Sequence, residues 1–209
     1  MLLVGLTGSI GVGKSTTAAM FKEHNFGVYN ADDTVHYIYE NDMEVVDKIE
    51  TIFPGTKENN QVNRKALRDI LNEKPEKFKE LESIVHPVTR QYQITYIQKL
   101  IEEQKFGCIL DIPLLFETGG DRYVDSSIVV IASEDKQRER VVGERQIPVE
   151  VFNILKKQQM PDQEKLKKAN FIISTENNIE STKAEVASTV DQLKAIEPKA
   201  WKEFYSKMR

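Results

Sequence analysis

Gly8-Ser9-Ile10-Gly11-Val12-Gly13-Lys14-Ser15 has the pattern G-x-x-x-x-G-K-S, and Thr16 follows it. Residues of these types at this spacing suit the capture of a polyphosphate. Glycines let consecutive backbone N–H groups turn inward around an anion. Lys14 is spaced to reach the β- and γ-phosphates of a nucleoside triphosphate, and the Ser15 hydroxyl to ligate Mg²⁺. The pattern carries that meaning only between a strand and a helix. Leu2, Leu3, Val4 and Leu6 form an apolar run suited to a buried strand. Ser15 to Phe21 reads as a helix whose N-terminus adds unpaired donors and a positive dipole end. A chance match in a flexible loop is the bland alternative, and both flanks argue against it.

Two acids are candidates to work beside this loop. Asp32, in Tyr29-Asn30-Ala31-Asp32-Asp33, closes a second apolar segment. A carboxylate at that sheet edge could accept the proton of an attacking hydroxyl. The competing role for Asp32 or Asp33 is to cap the next helix, with Asp33 better placed for it by order. Asp111 ends FGCILD within the run Phe106–Ile112, as in strands whose terminal Asp helps to hold Mg²⁺. Pro113, Leu114, Leu115 and Glu117 follow directly and would line the same cleft. His24, His36 and His86 show no metal-ligand spacing.

Apolar runs unbroken by alternation mark five strands: Leu2–Leu6, Val28–Asn30, 106–112, 127–132 and 171–173. With helices between them the expectation is an α/β fold, a doubly wound parallel five-stranded sheet. Residues 33–104 contain no convincing strand. Helical spacing runs through Val45–Phe53, stops at Pro54-Gly55, resumes after Asn63, restarts at Pro75, breaks at His86-Pro87 and resumes through Ile94–Ile101. The expected organisation is a nucleotide-binding core (1–32, 105–133, 169–209), a helical acceptor-binding insertion (33–104) and a charged helical lid (134–168). The lid segment is interrupted by Pro148 and Pro161 and reads either as a solvated helical pair or as a cover that brings arginines to transferring phosphates. An amphipathic helix follows through Ile179–Leu193, and the tail holds Trp201, Phe204 and Tyr205.

The 209 residues are 30% charged and 40% hydrophobic, with a net charge of −4, an ordinary balance that forces no nucleic-acid-binding face. No apolar stretch reaches membrane length. Met1–Gly5 lacks a basic flank and reads as a first strand, not a leader. One cysteine, Cys108, in an apolar run suits a reducing, cytoplasmic setting.

The ordered set LTGSIGVGKST, NADDTVH, NRKALRDIL, ELESIVHPVTR, DIPLLFE and Gln137-x-x-Arg140 resembles the dephospho-coenzyme A kinases over nearly the whole chain. The resemblance implies a P-loop fold and transfer of the ATP γ-phosphoryl group to the 3′-hydroxyl of dephospho-CoA, completing coenzyme A synthesis. It implies Asp32 as general base, with Lys14, Ser15 and the rest of Gly8–Thr16 (Ser9, Ile10, Gly11, Val12, Gly13) on ATP and Mg²⁺. It also implies Arg140 as the lid arginine and His86 and Arg90 on the acceptor side. Asn30 stands where the family motif has an acid. Where that motif places a second lid arginine this chain has Glu144, with Arg145 next. Other readings are a different nucleoside or nucleotide kinase, distinguished by its acceptor pocket, and a non-catalytic nucleotide-binding module. A GTP-dependent switch lacks its Asn-Lys-x-Asp motif here.

Overall fold

The computed structural model describes residues 1–205; positions 206–209, the end of the aromatic tail, lie outside the described residues. In chain order the elements are β1 (Leu2–Gly8), α1 (Lys14–Phe21), β2 (Phe26–Asn30), α2 (Ala31–Asn41), α3 (Met43–Ile52), β3 (Lys57–Glu58), β4 (Gln61–Val62), α4 (Arg64–Glu73), α5 (Phe78–Glu102) and β5 (Gly107–Asp111). Then come β6 (Ser126–Ile131), α6 (Glu134–Arg138), a π turn over Glu139–Glu144, α7 (Val149–Gln158), α8 (Asp162–Lys168), β7 (Phe171–Ser174) and α9 (Ile179–Leu193). The chain divides into two compact units, Met1–Tyr29 with Lys99–Arg209, and Asn30–Gln98.

The first unit is built on the expected five-stranded sheet, in the order β2-β5-β1-β6-β7. β1 pairs in parallel with both β5 and β6, and β6 with β7. Consecutive apolar residues suit this arrangement because both sheet faces are covered, and all seven residues of β1 are buried. β1 → α1 leads to one side of the sheet, whereas the chain later crosses β1 to reach β6. The carboxyl end of β1 is therefore the switch point at which open α/β sheets bind ligands. Leu2, Leu6, Phe21, Ile109, Ile128 and Val186 lie in the core behind it, each at most 2% exposed. The aromatic tail is fastened to this unit: Asp125 accepts from the amides of Leu3 (2.7 Å), Lys199 (2.6 Å) and Ala200 (2.7 Å), and Phe204 meets Tyr123 edge-on.

The second unit has its own core, in which Ile38, Val46, Ile49, Phe53, Leu67 and Val85 are buried together. Three sequence expectations change here. First, a hairpin of two-residue strands, β3 and β4, exists where no strand was expected. Its turn residues Asn59 and Asn60 both take positive φ (49° and 63°), as a tight hairpin turn demands. Strands this short leave no periodicity to read. Second, Pro87 does not end a helix but lies inside α5, a single helix of 25 residues. Proline removes one backbone donor, and the loss is carried by burial on both sides, at Leu81 and Val85 before it and Ile94 and Ile97 after it. Third, α2 is capped by neither aspartate: the Asn30 side chain accepts from Asp32 N (2.9 Å) and Asp33 N (3.2 Å). β2 thus ends at Asn30, and Asp32 and Asp33 occupy the first turn of α2.

Candidate active site

The loop between β1 and α1 takes its shape from Gly11 and Gly13, both at φ +81°, a left-handed conformation that costs glycine nothing. Thr17 N donates to Gly13 O (3.0 Å), starting α1, so the amides of Lys14, Ser15 and Thr16 precede the first intrahelical donor and have no acceptor within the helix. Among the described residues no side chain caps this end. A helix N-terminus left this way is a ready anion site.

Pairing of Leu6 with Asp111 sets the acid at the carboxyl end of β5 beside the loop. Lys14 Nζ donates to Asp111 Oδ1, with the two side chains 16% and 2% exposed. Residues 97 positions apart are therefore brought into one ion pair. Arg140 joins them from the π turn. Its guanidinium donates to Thr175 O (2.7 Å), Thr175 Oγ1 (2.9 Å) and Gly11 O (3.3 Å), and Thr175 Oγ1 donates to Val12 O (2.6 Å). Nearby, amide and hydroxyl donors of Ser133 hold the Glu176 carboxyl below the usual range.

A cavity of about 250 Å³ opens on the α1 side of the loop, lined among others by Gly13, Thr16, Arg140, Arg145, Thr175 and Asn178. The π turn explains the presence of Arg145. Arg145 N donates to Arg140 O (3.2 Å), a five-residue repeat that stacks Arg145 over Arg140 where an α-helix would stack Glu144.

The opposite arm of the loop is held by different groups. Ile10 N donates to Gln159 Oε1 (2.9 Å), and Ser9 Oγ donates to Asp162 Oδ1. Gln137 Nε2 donates to Ala132 O (2.9 Å) and Asp162 Oδ2 (3.3 Å). Thus Ser9 and Ile10 are bound to the charged segment itself. Gln159, Asp162 and Lys165 carry no individual signal in the sequence, where they are three polar residues of a charged segment.

Leu115 and Glu117, expected at the acceptor cleft, have partners within the protein. Leu115 is fully buried, packed with Phe116 and Val129 in the core. Glu117 Oε1 accepts from Met160 N (2.7 Å) and pairs with Lys165 Nζ (3.5 Å). Leu114 stays 40% exposed, and the Pro113 carbonyl accepts from Thr7 Oγ1 (2.9 Å). Asp32, His86 and Arg90 belong to the other unit, Asn30–Gln98, with His86 and Arg90 one turn apart on α5.

The dephospho-CoA kinase family model matches residues 2–181. The dephospho-CoA kinase of Agrobacterium fabrum is 40% identical over 195 residues, covering 93% of this chain and all of that protein. A crystal structure from Thermus thermophilus superposes with TM-score 0.81 at 28% identity, covering 92% of this chain and 97% of that one. Dephospho-CoA kinase from Campylobacter jejuni gives TM-score 0.65 at 27% identity, covering 91% and 96%. With a P-loop at the switch point of a five-stranded parallel sheet and these matches over most of its length, the chain belongs to the dephospho-CoA kinase family.

Proposed function

We propose that this enzyme transfers the γ-phosphoryl group of ATP to the ribose 3′-hydroxyl of dephospho-CoA, releasing ADP and coenzyme A. The observation that carries the reading is the uncapped N-terminus of α1 behind Gly13, with Lys14 paired to Asp111 at the end of the adjacent strand. Amides of the loop and of the first turn of α1 bind the phosphates. On nucleotide binding Lys14 exchanges Asp111 for phosphate oxygens, where its charge counts most in the transition state. Arg140, already fixed at Gly11 and Thr175, adds positive charge at the cavity that takes the rest of the nucleotide.

Ser15 and Asp111 would hold Mg²⁺. A hydroxyl and a carboxylate are hard oxygen donors, and a site of one or two protein oxygens completed by substrate phosphates is the usual arrangement for this ion. Asp111 already faces a cation, the Lys14 ammonium. The ion's contribution is to neutralise charge on the phosphates.

On this reading the acceptor residues are His86 and Arg90, which lie in the Asn30–Gln98 unit, together with Pro113 and Leu114 of the first unit. Asp32 is the general base. Its backbone is held by Asn30, its side chain is exposed, and its carboxylate makes no hydrogen bond or ion pair among the described residues. It orients the 3′-hydroxyl and takes its proton as the new P–O bond forms and the bond to ADP breaks. No described helix is long and apolar enough to cross a membrane, and the single buried thiol, Cys108, fits a cytoplasmic setting.

The test is ADP release from ATP with dephospho-CoA, adenosine or AMP as acceptor. Turnover should require dephospho-CoA; turnover with a nucleoside or nucleotide instead would overturn the acceptor assignment. Lys14→Ala should raise the barrier by about 3 kcal/mol, the scale of other transition-state charge contacts. A folded Lys14→Ala enzyme with near-normal turnover would remove the loop from the mechanism.

A further inference from the structure

We propose that Lys165 is a positioning residue for the phosphate loop, the centre of a polar brace completed by Glu117, Asp162 and Gln159. The proposal rests on the nucleotide site described above. Lys165 is completely buried, yet it carries an ammonium group. Burying such a charge is costly unless it is paired and hydrogen-bonded, so its partners define why it is there. They are Glu117 Oε1 at 3.5 Å and Ser9 Oγ at 3.4 Å, the latter a residue of the loop itself.

The direction of the bonds matters. Ser9 Oγ accepts from Lys165 and donates to Asp162, so both capacities of the hydroxyl are used and its rotor is set. One step along the loop, Ile10 N is held by Gln159 Oε1. Glu117 closes the circuit by accepting from Met160 N, next to Gln159. The stretch from Gln159 to Lys165 therefore grips Ser9 and Ile10, while Arg140 and Thr175 grip Gly11 and Val12. Two independent clamps act on the two arms of one loop. Phosphate binding needs the loop amides aimed together, and small displacements of a positioned group are expensive in rate. Without Lys165, the partly buried Glu117 carboxylate loses its cation, and Ser9 loses the donor that sets its hydroxyl toward Asp162.

The experiment uses the full chain and reads nucleotide binding apart from turnover. Lys165→Met keeps an unbranched stem of similar length and removes the charge. Titration with the Mg²⁺ complex of a non-hydrolysable ATP analogue should show Kd raised about tenfold or more, with KM for ATP rising in parallel, the scale set by mispositioning. KM for dephospho-CoA should stay within about twofold, because the loop does not hold the acceptor. The Glu117→Gln/Lys165→Met pair removes both charges of the ion pair. It should restore the melting temperature and leave the nucleotide defect in place, and it remains informative where Lys165→Met alone fails to fold. Wild-type nucleotide affinity in folded Lys165→Met would overturn the proposal. So would recovery of affinity together with stability in the double variant, which would make the brace purely structural. An enzyme that binds the analogue but never phosphorylates dephospho-CoA would sink the acceptor reading alone, since the brace is judged on nucleotide binding.

Discussion

At the scale of single residues the start of α2 moves the helix cap from Asp33, where chain order places it, to Asn30. Asn30 makes the cap, while Asp32 and Asp33 stand in the first turn with exposed side chains. Asn30→Ala should therefore cost about 1 kcal/mol of stability, and Asn30→Asp should keep the cap. Asp32→Asn should leave ATP binding nearly intact and lower turnover by about two orders of magnitude, as for a lost general base. Asp33→Asn should change neither stability nor rate appreciably, having no cap to lose. Melting curves and steady-state kinetics of the three positions decide this, and a loss at Asp33 equal to that at Asp32 would refute the assignment. Burial separates neighbours in the segment after Asp111. Leu114 and Leu115 are equally apolar neighbours in sequence, but the turn exposes the first and buries the second.

At the scale of elements, the π turn over Glu139–Glu144 is the local device of most consequence. It shifts the helical repeat by one residue and sets Arg145 beside Arg140 on the same cavity. Arg140 makes three directed donations, so its planar fork is in use as well as its charge. Arg140→Lys should still impair kcat/KM for ATP by about tenfold or more, because an ammonium cannot reproduce the fork. Intact kcat/KM in that variant would reduce the role of Arg140 to charge alone. In the second unit, Glu50 accepts from the amides of Gly55 (2.9 Å) and Lys57 (2.6 Å), which hold its carboxyl below the usual range. Bonds to an ionised group with a depressed pKa are fully effective above the ordinary glutamate range and fade as pH falls through the lower folded value. Acid should therefore loosen the turn before β3 first. Glu50→Gln should flatten that acid limb when amide resonances of Thr56 and Lys57 are followed by NMR. An unchanged titration in the variant would assign the transition to another group.

At the scale of the whole molecule, each unit closes around its own core, and the sheet of the first keeps Cys108 fully buried, its thiol pushed up to about 12 by desolvation. A thiolate is then absent at neutral pH, and reagent reaches sulfur only when the unit opens. Labelling with a thiol reagent should follow the opening rate. A non-hydrolysable ATP analogue should slow it, because a ligand of the native state draws population away from open forms. Reaction at the speed of a free cysteine, or no effect of nucleotide, would contradict a buried Cys108 coupled to the site.

The sequence by itself determined the phosphate loop, its strand and its helix, because strand, turn and helix are contiguous and each carries its own local signal. It also determined the run of buried strands, since a parallel sheet covered on both faces demands uninterrupted apolar residues. Tertiary structure decided what depends on partners distant in the chain. The Lys14–Asp111 pair follows from the register of β1 on β5. Lys165 is one lysine among several in a charged segment, and only packing against Glu117 and Ser9 buries it. Pro87 obeys the local rule for a helix break and is overruled by apolar burial on either side of it. Pattern records which face of an element is apolar; it does not record which distant polar group that face will meet, and the brace behind the phosphate loop is made of such meetings.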